Sequence, residues 1–222
     1  MKNIIIAGSS GMIGNLVLQN CLKRDDVQKV TSITRRKSGK DHTKLLEVVH
    51  TDFLNYTALN KYFKSQDLCF YCIGVYTGQV PGDEFRKITV DYTRAFAEAL
   101  KQNSPATTFC FLSGQGADQS EKSLFMFAKA KGIAENFLLG LHFAHTYIFR
   151  PGYIYPVTPR KEPNLTYRIM RRLYPVLNKI YHNGVISSEE LANAMVDIGI
   201  CGGPSTIYEN KDIRKHRISV AT

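Results

Sequence analysis

The sequence predicts an α/β fold, with a doubly wound parallel sheet and a small C-terminal cap. Short apolar segments alternate with longer helix-like segments over the first 150 residues. The first apolar segment, Lys2 to Ala7, runs directly into a glycine-rich turn. The intervals between apolar segments are long enough for helical crossovers, which join parallel strands through right-handed connections.

The apolar segments predict six strands, and the stretches between them predict four helices. The strands are expected at Lys2 to Ala7, Val30 to Thr34, Leu46 to Val49, Leu68 to Ile73, Thr107 to Leu112 and Thr146 to Phe149. The helices are expected at Gly11 to Leu22, Tyr56 to Phe63, Asp83 to Gln102 and Glu121 to Leu141. The expected strand order is 3-2-1-4-5-6, with a ligand at the carboxyl ends of the strands.

The pattern changes after Gly152. A proline-rich linker is followed by a basic helix from about Leu165 to Tyr181, an apolar pair Val185-Ile186, a helix from Ser188 to about Ile198 and a basic tail. This part is too short for an independent domain. We expect residues 1–222 to form a single domain, in which the residues from about 153 onward cap the ligand edge of the sheet on the substrate side.

Composition limits the class of protein. Hydrophobic residues make up 44% of the chain, so intrinsic disorder is not expected. No apolar run approaches the ~20 residues of a membrane span, and no signal-peptide cleavage site follows the first apolar stretch. The net charge of +10 allows an anionic ligand, nucleic acid or a membrane surface, without choosing among them. Because no nucleic-acid motif is recognisable, no nucleic-acid partner is expected.

Five scattered cysteines do not form a disulfide pattern, which favours the reducing cytoplasm. Cys69 and Cys72 form a CxxC, but inside a predicted strand they point to opposite faces, so core packing is the expected role. The six histidines show no metal-ligand spacing, and no metal site is predicted.

Residues 8–14, GSSGMIG, follow the first strand and open the first helix, the context of a Rossmann dinucleotide turn. Gly8 allows the tight turn, Gly11 lets the backbone approach a pyrophosphate, and Gly14 lets the helix pack closely. Free N–H groups and the helix dipole then attract the anion. The alternative is an ordinary glycine-rich turn. The expected cofactor contacts here are Gly8, Ser10, Gly11, Met12, Ile13 and Gly14.

Arg35 and Arg36 end the second strand, where a cofactor with a free ribose 2′-hydroxyl would call for an acidic residue. A guanidinium suits a 2′-phosphate instead, since it is always charged and can bind two oxygens at once. The cofactor is therefore expected to be NADP(H) rather than NAD(H). The alternative is a solvated basic turn.

Together these features resemble the short-chain dehydrogenase/reductase superfamily, in its atypical NAD(P)-binding branch, and are most similar to its Tat-interacting-protein-like group. The motifs that carry the resemblance lie at residues 8–14 (GSSGMIG), 51–53 (TDF), 72–74 (CIG), 113–117 (SGQGA), 131–135 (KGIAE), 150–154 (RPGYI) and 186–192 (ISSEELA). The resemblance spans nearly the whole chain. It implies further cofactor contacts at Asp52, Phe53, Cys72, Ile73, Gly74, Lys131, Pro151, Gly152 and Ile154.

The family's chemistry depends on a YxxxK pair on the helix after the fifth strand, whose residues share one helix face. The KGIAE match places Lys131 at the lysine and Phe127 at the tyrosine. A second register pairs Lys129 with Phe125, so both registers replace the tyrosine with phenylalanine. Phenylalanine cannot donate a proton, and general acid catalysis is typically worth ~10²–10⁴-fold.

Three functions stay open. The chain could be a reductase of an unknown small carbonyl substrate that uses another acid, with Lys131, Ser113, Tyr76 and Tyr153 as the candidate catalytic residues. It could be a redox sensor that binds NADP(H) and acts through a protein partner, as the NmrA-like regulators of this superfamily do. It could also be a structural module without cofactor. The basic helix after residue 165 either covers the cleft or meets a membrane surface or an acidic partner.

Overall fold

The computed structural model describes residues 1–76, 78–158 and 165–220, without the side chains of residues 165–167 and 217–220. Pro159 and Pro163 of the predicted linker therefore lie outside the described residues. The strands are β1 (Lys2–Ala7), β2 (Val27–Thr34), β3 (Leu45–Val49), β4 (Leu68–Tyr71), β5 (Thr108–Leu112), β6 (His145–Arg150), β7 (Tyr153–Tyr155), β8 (Val185–Ser187) and β9 (Ile207–Glu209).

Eight α-helices are described along with these strands. They are α1 (Met12–Leu22), α2 (Asn60–Phe63), α3 (Gly82–Arg86), α4 (Tyr92–Asn103), α5 (Met126–Gly140), α6 (Leu165–Ile180), α7 (Ser188–Cys201) and α8 (Asn210–Val220). A 3-10 turn at Thr57–Leu59 precedes α2, and a π-helical turn at Lys87–Asp91 joins α3 to α4. The single helix predicted from Asp83 to Gln102 is therefore three segments.

The central sheet is parallel and has the strand order β3-β2-β1-β4-β5-β6-β9. This confirms the predicted fold class and the predicted order of the first six strands. Side chains alternate between two apolar clusters, one on each face of the sheet. Cys72 belongs to the cluster that contains α1 and α7, whereas Cys69 belongs to the cluster that contains α4 and α5.

Helix α5 begins five residues later than the predicted Glu121 start. The Asp118 carboxylate accepts hydrogen bonds from the backbone N–H groups of Ser120, Lys122 and Ser123. A side chain that binds nearby backbone donors favours a turn over a helix. The helix therefore starts only at Met126.

The C-terminal third contributes a strand and a helix to the layers of the central sheet, in addition to the part that the sequence predicts as a cap. Strand β9 pairs with β6 as a seventh strand of the central sheet, and α7 packs into the same apolar cluster as α1. A capping box between Ser187 and Glu190 starts α7. The predicted basic tail is helix α8. Strands β7 and β8 form a separate two-stranded sheet.

Candidate functional site

The turns after β1 and β4 meet at the carboxyl edge of the sheet. Gly8 has a φ of +85°, and a Cβ there would lie 2.7 Å from the carbonyl carbon of Cys72. Only glycine suits both the conformation and the space. A Cβ on Gly14 would overlap the Gly8 carbonyl, so α1 packs directly on the turn. These two glycines therefore shape the turn, and their contact with a cofactor stays a prediction.

The N-terminus of α1 has the features of an anion site. Gly11 is its N-cap and no side chain caps it, and the first turn contains no acidic residue. The unpaired N–H groups of a helix N-terminus and its dipole favour an anion. Ser10 and Gly11 are exposed and Met12 is half-buried, whereas the Ile13 side chain lies in the core. Ile13 could therefore contact a ligand only through its backbone.

A serine pair that the sequence-based prediction missed holds this turn to β2. The hydroxyl groups of Ser9 and Ser32 are 2.6 Å apart, and both residues are buried. The prediction named Ser10 instead, although a polar residue inside the apolar strand β2 was a signal that its side chain has a buried partner.

The end of β2 is basic, as predicted. Arg35 and Arg36 are exposed, and the Thr34 hydroxyl donates to the Arg36 carbonyl over 2.9 Å, which holds this turn. Lys40 reaches from the following loop to α1, where its Nζ donates to Asn15 Oδ1 over 2.7 Å. Lys40 thus places a cation at the first turns of α1, and the sequence-based prediction did not single it out.

The two residues predicted after β3 have different environments. Asp52 is exposed, and its Oδ1 accepts the Leu54 N–H over 3.1 Å. Phe53 is buried and stacks on Tyr92 with ring centroids 5.6 Å apart. The Asp52 side chain is therefore available at the surface, and the Phe53 ring supports it from the core.

The turn after β4 contains Cys72, Ile73 and Gly74 because the strand ends at Tyr71, two residues before the predicted end. Burial raises the pKa of the Cys72 thiol to about 12, so this thiol is protonated at neutral pH. Ile73 is half-buried and Gly74 is exposed. Tyr76 follows in the same loop, where its backbone N–H donates to Gln79 Oε1 over 3.2 Å.

Lys131 is buried at the carboxyl end of β5. Its Nζ donates to the Leu112 carbonyl over 3.0 Å and lies 5.0 Å from the Phe111 ring centroid. Burial lowers the pKa of Lys131 from 10.5 to about 8, since the charged form loses its hydration. Lys129, the alternative lysine, is exposed. Of the two registers considered, only the one with Lys131 turns its lysine inward.

Phe127 lies one turn before Lys131 on α5. Its ring packs over Gly114, where a Cβ would lie 2.5 Å from Phe127 Cζ. The centroids of the Phe127 and Phe85 rings are 6.1 Å apart. Phe125, from the other register, precedes α5 and is 79% exposed. The aromatic residue beside the turn after β5 is thus Phe127.

Ser113 and two motif residues form a buried charged cluster. The Ser113 hydroxyl donates to Glu135 Oε1 over 2.5 Å, and Arg150 Nε donates to the same oxygen over 2.9 Å. Arg150 Nη2 binds the second Glu135 oxygen, and Gln119 Nε2 donates to that oxygen over 2.9 Å. The sequence contained both partners, in the KGIAE and RPGYI segments, but no local signal paired them.

Two hydrogen bonds from other segments hold the turn after β6. The Gly152 N–H donates to Asn210 Oδ1 over 2.9 Å, and the Pro151 carbonyl accepts the Gln115 N–H over 2.8 Å. Tyr153 and Ile154 follow in β7, half-buried and paired with Val185 and Ile186 of β8. The predicted residues after β1, β4, β5 and β6 therefore lie along one continuous edge.

Neither a metal cluster nor a membrane span is found within residues 1–76, 78–158 and 165–220. No three His, Cys, Asp or Glu side chains there are grouped for metal binding. No helix in these ranges is both long and apolar enough to cross a bilayer.

Residues 8–198 match the family model described as NAD(P)H-binding. Rat protein HTATIP2 is 28% identical over 220 residues, covering 96% of this chain and 88% of the rat protein. The fungal protein "FMP52, mitochondrial" of Debaryomyces hansenii is 31% identical over 150 residues, covering 66% of this chain and 64% of that protein.

Solved structures share the fold at low sequence identity. The Bordetella bronchiseptica enzyme WbmF in complex with NAD+ superposes with a TM-score of 0.69 at 14% identity, covering 99% of this chain and 78% of that one. A short chain dehydrogenase family protein from Francisella tularensis gives 0.64 at 15% identity, covering 90% and 91%. With its glycine turn at the edge of a Rossmann sheet, the chain belongs to the NAD(P)H-binding family, whose cofactor is a nicotinamide dinucleotide.

Proposed function

We propose that this chain is an NADP(H)-dependent oxidoreductase that reduces a small carbonyl compound. The observation that carries the proposal is the buried Lys131, whose ammonium group is held at the carboxyl end of β5 with its pKa lowered to about 8. A general acid is most effective when its pKa lies near the working pH.

The glycine turn is the proposed pyrophosphate site. The uncapped α1 N-terminus would bind the pyrophosphate through the backbone at Ser10, Gly11, Met12 and Ile13. Gly8 and Gly14 keep the turn compact.

Arg35 and Arg36 would bind the 2′-phosphate, because both are exposed at the end of β2 and guanidinium pairs well with phosphate. The resemblance adds Asp52 and Phe53 near the adenine. It also adds Cys72, Ile73, Gly74, Pro151, Gly152 and Ile154 along the edge.

The bound cofactor supplies a hydride to the carbonyl carbon. The carbonyl oxygen then needs a proton, which the Lys131 ammonium donates, leaving a neutral amine that is reprotonated from solvent. Phe127 has no proton to give. The Ser113 proton is directed at Glu135, so its hydroxyl would orient the substrate only through its oxygen. Tyr76 and Tyr153 are the alternative acids, since both lie at the carboxyl edge.

Three further features belong to this proposal. Residues 1–222 act as one domain, with β7, β8 and α6 as its substrate-side cap. The chain works in the cytoplasm, which is consistent with five free cysteines in a reducing compartment. A protein partner is required only under the second function considered below.

Oxidation of NADPH in the presence of a panel of small aldehydes and ketones tests the reductase proposal. Lys131→Met should lower turnover at saturating NADPH by ~10²–10⁴-fold. Because the resemblance also implies a cofactor contact at Lys131, the same change should weaken NADPH binding. Lys129→Met, an exposed lysine on the same helix, is the matched control and should behave as wild type. Full turnover in Lys131→Met, with loss in Tyr76→Phe or Tyr153→Phe, would move the acid role to that tyrosine.

A redox sensor is the second candidate, favoured by one observation. The Ser113 proton binds Glu135, and in the register that the resemblance implies Phe127 stands where the family has its tyrosine, so two of the three groups that the family uses for chemistry would be unsuited here. A sensor should consume no carbonyl of the panel and should hold a protein partner with different affinity in its NADP+ and NADPH forms. Equal affinities would exclude this role.

A further inference from the structure

Helix α6 carries a line of exposed apolar side chains. Ile169 is 50% exposed, Leu173 46%, Val176 55% and Ile180 76%. Their spacing of four, three and four residues places them on one face of the helix. Such a line, about 16 Å long at ~1.5 Å per residue, is the apolar stripe of α6. A stripe of this extent in water calls for a partner.

The apolar stripe points away from the body of the protein. The packed side of α6 is marked by Tyr174, which stacks on Tyr155 with centroids 4.0 Å apart, and by Asn178, whose Oδ1 accepts Arg214 Nη1 over 2.8 Å. At about 100° per residue these two residues lie roughly 140–180° around the helix from Ile169. The stripe is therefore not the face by which α6 docks onto its own chain.

The surroundings of the stripe are basic. Residues 165–188 contain no Asp or Glu. The exposed cations Arg168, Arg172 and Lys179 lie on one flank of the stripe. The whole chain carries a net charge of +10. An apolar line with a cationic flank on a highly basic protein is complementary to an anionic surface.

We propose that α6 lies in the plane of an anionic phospholipid bilayer, with the apolar stripe among the acyl chains and the flanking cations on the headgroups. Interfacial helices combine an apolar face with Lys and Arg on the polar face in this way. Two copies of the chain joined through α6 would bring these cations together, which disfavours self-association. The cationic flank of the stripe favours an anionic lipid surface over a neutral apolar partner.

The proposal is independent of the cofactor site and goes beyond the proposed function. Binding through α6 would bring the chain to a membrane surface. Binding should weaken as salt rises, because the headgroup attraction is screened over about 10 Å at 0.1 M salt.

Sedimentation of the full-length chain with vesicles tests the proposal. We expect at least tenfold stronger partitioning onto vesicles of phosphatidylcholine with phosphatidylglycerol than onto phosphatidylcholine alone. The double variant Leu173→Glu, Val176→Glu should lose this binding. Val49→Glu, at a 48% exposed valine in β3, is the matched control and should retain it. Replacing Arg168, Arg172 and Lys179 by Gln should weaken binding about 100-fold, since each cation near the surface contributes ~1 kcal/mol.

Circular dichroism and thermal unfolding establish that each variant is folded. Equal binding to neutral and anionic vesicles, or unchanged binding of the double variant, would overturn the proposal. Dimerisation that the double variant abolishes, with no vesicle binding, would assign the stripe to a second copy. Binding to polyglutamate with no vesicle binding would assign it to an acidic protein, and either result also overturns the lipid proposal.

Discussion

The Ser113 hydroxyl lies 2.5 Å from Glu135 Oε1, and this contact joins two segments that are 22 residues apart. The same carboxylate is fully buried and also binds the Arg150 guanidinium. The turns after β5 and β6 are thereby tied to α5. The cluster positions the edge on which the proposed site stands, and it directs the serine proton away from the cleft.

Glu135→Gln should therefore affect stability strongly. The change keeps the shape of the side chain but leaves the Arg150 charge without its buried partner, which costs about 3–5 kcal/mol of the free energy of unfolding. Glu209→Gln is the matched control, because Glu209 binds the same arginine over 3.0 Å from a side chain that is 39% exposed. The free energy of unfolding should fall by at most about 1 kcal/mol in Glu209→Gln. Urea unfolding measures both, and equal losses would contradict the central role of Glu135.

Lys131 should make stability depend on pH. Its pKa is lowered from 10.5 in the unfolded chain to about 8 in the folded one, so between these values the unfolded state holds more protons. The free energy of unfolding should rise by about 3 kcal/mol as pH increases through this window. Lys131→Met should lack the rise. Chemical unfolding of the wild type and of Lys131→Met at pH values from about 7 to 10.5 measures the free energy of unfolding of each. An equal dependence on pH in the two proteins would refute the lowered pKa of Lys131.

Turnover should show the opposite dependence on pH. If the Lys131 ammonium is the acid, its charged fraction and the rate of reduction both fall as pH rises through about 8. The measurement is the pH profile of turnover at saturating NADPH. A rate that stays level well above this pH would point to an acid with a higher pKa, such as a tyrosine.

Gly14→Ala should remove cofactor binding. Its methyl group would overlap the Gly8 carbonyl, so α1 must shift from the turn, at a cost of about 1–3 kcal/mol. Gly140→Ala, at the last residue of α5, meets nothing within 4 Å and should be neutral or stabilising by up to ~1 kcal/mol. Thermal unfolding and NADPH titration of both variants check this contrast. A Gly14→Ala protein with wild-type affinity would show that the turn does not hold the pyrophosphate.

Arg35→Ala should weaken NADPH binding by about 10–100-fold and leave NADH unaffected, because a charged hydrogen bond is worth ~1.5–3 kcal/mol and only NADPH carries the 2′-phosphate. Lys29→Ala is the matched control. Lys29 is exposed on the same strand but about 20 Å from Arg35. Equal losses for the two cofactors would remove Arg35 from the 2′-phosphate site.

The sequence alone predicts the first six strands well, because buried parallel strands are continuous apolar runs bounded by turns. It does not reveal β9, since Ile207–Glu209 is only three residues long. Tertiary contacts define that strand, since the Tyr208 ring stacks on the Phe149 ring with centroids 5.5 Å apart. Short segments of this kind carry no periodicity from which a strand could be predicted.

The sequence likewise predicts part of the candidate site and leaves another part to the structure. Glycine positions and residue types indicate the turn that suits a dinucleotide, because each glycine has a steric reason. The hydrogen-bond partner of Ser113 could not be predicted, since Glu135 reaches it only through packing of α5 on β5 and β6. The sequence indicates only that α6 is a basic helix, and the structure shows which side of α6 faces the protein and which apolar side chains are exposed.

Calorimetric titration of the purified chain with NADPH and, separately, with NADH measures directly whether the glycine turn and the basic end of β2 bind NADP(H). We predict tight binding of NADPH and binding of NADH that is weaker by about 10–100-fold, because the basic end of β2 engages only the 2′-phosphate. Equal affinities would contradict the assignment of Arg35 and Arg36. Absence of binding for both cofactors would contradict the whole site and leave the chain as a structural module.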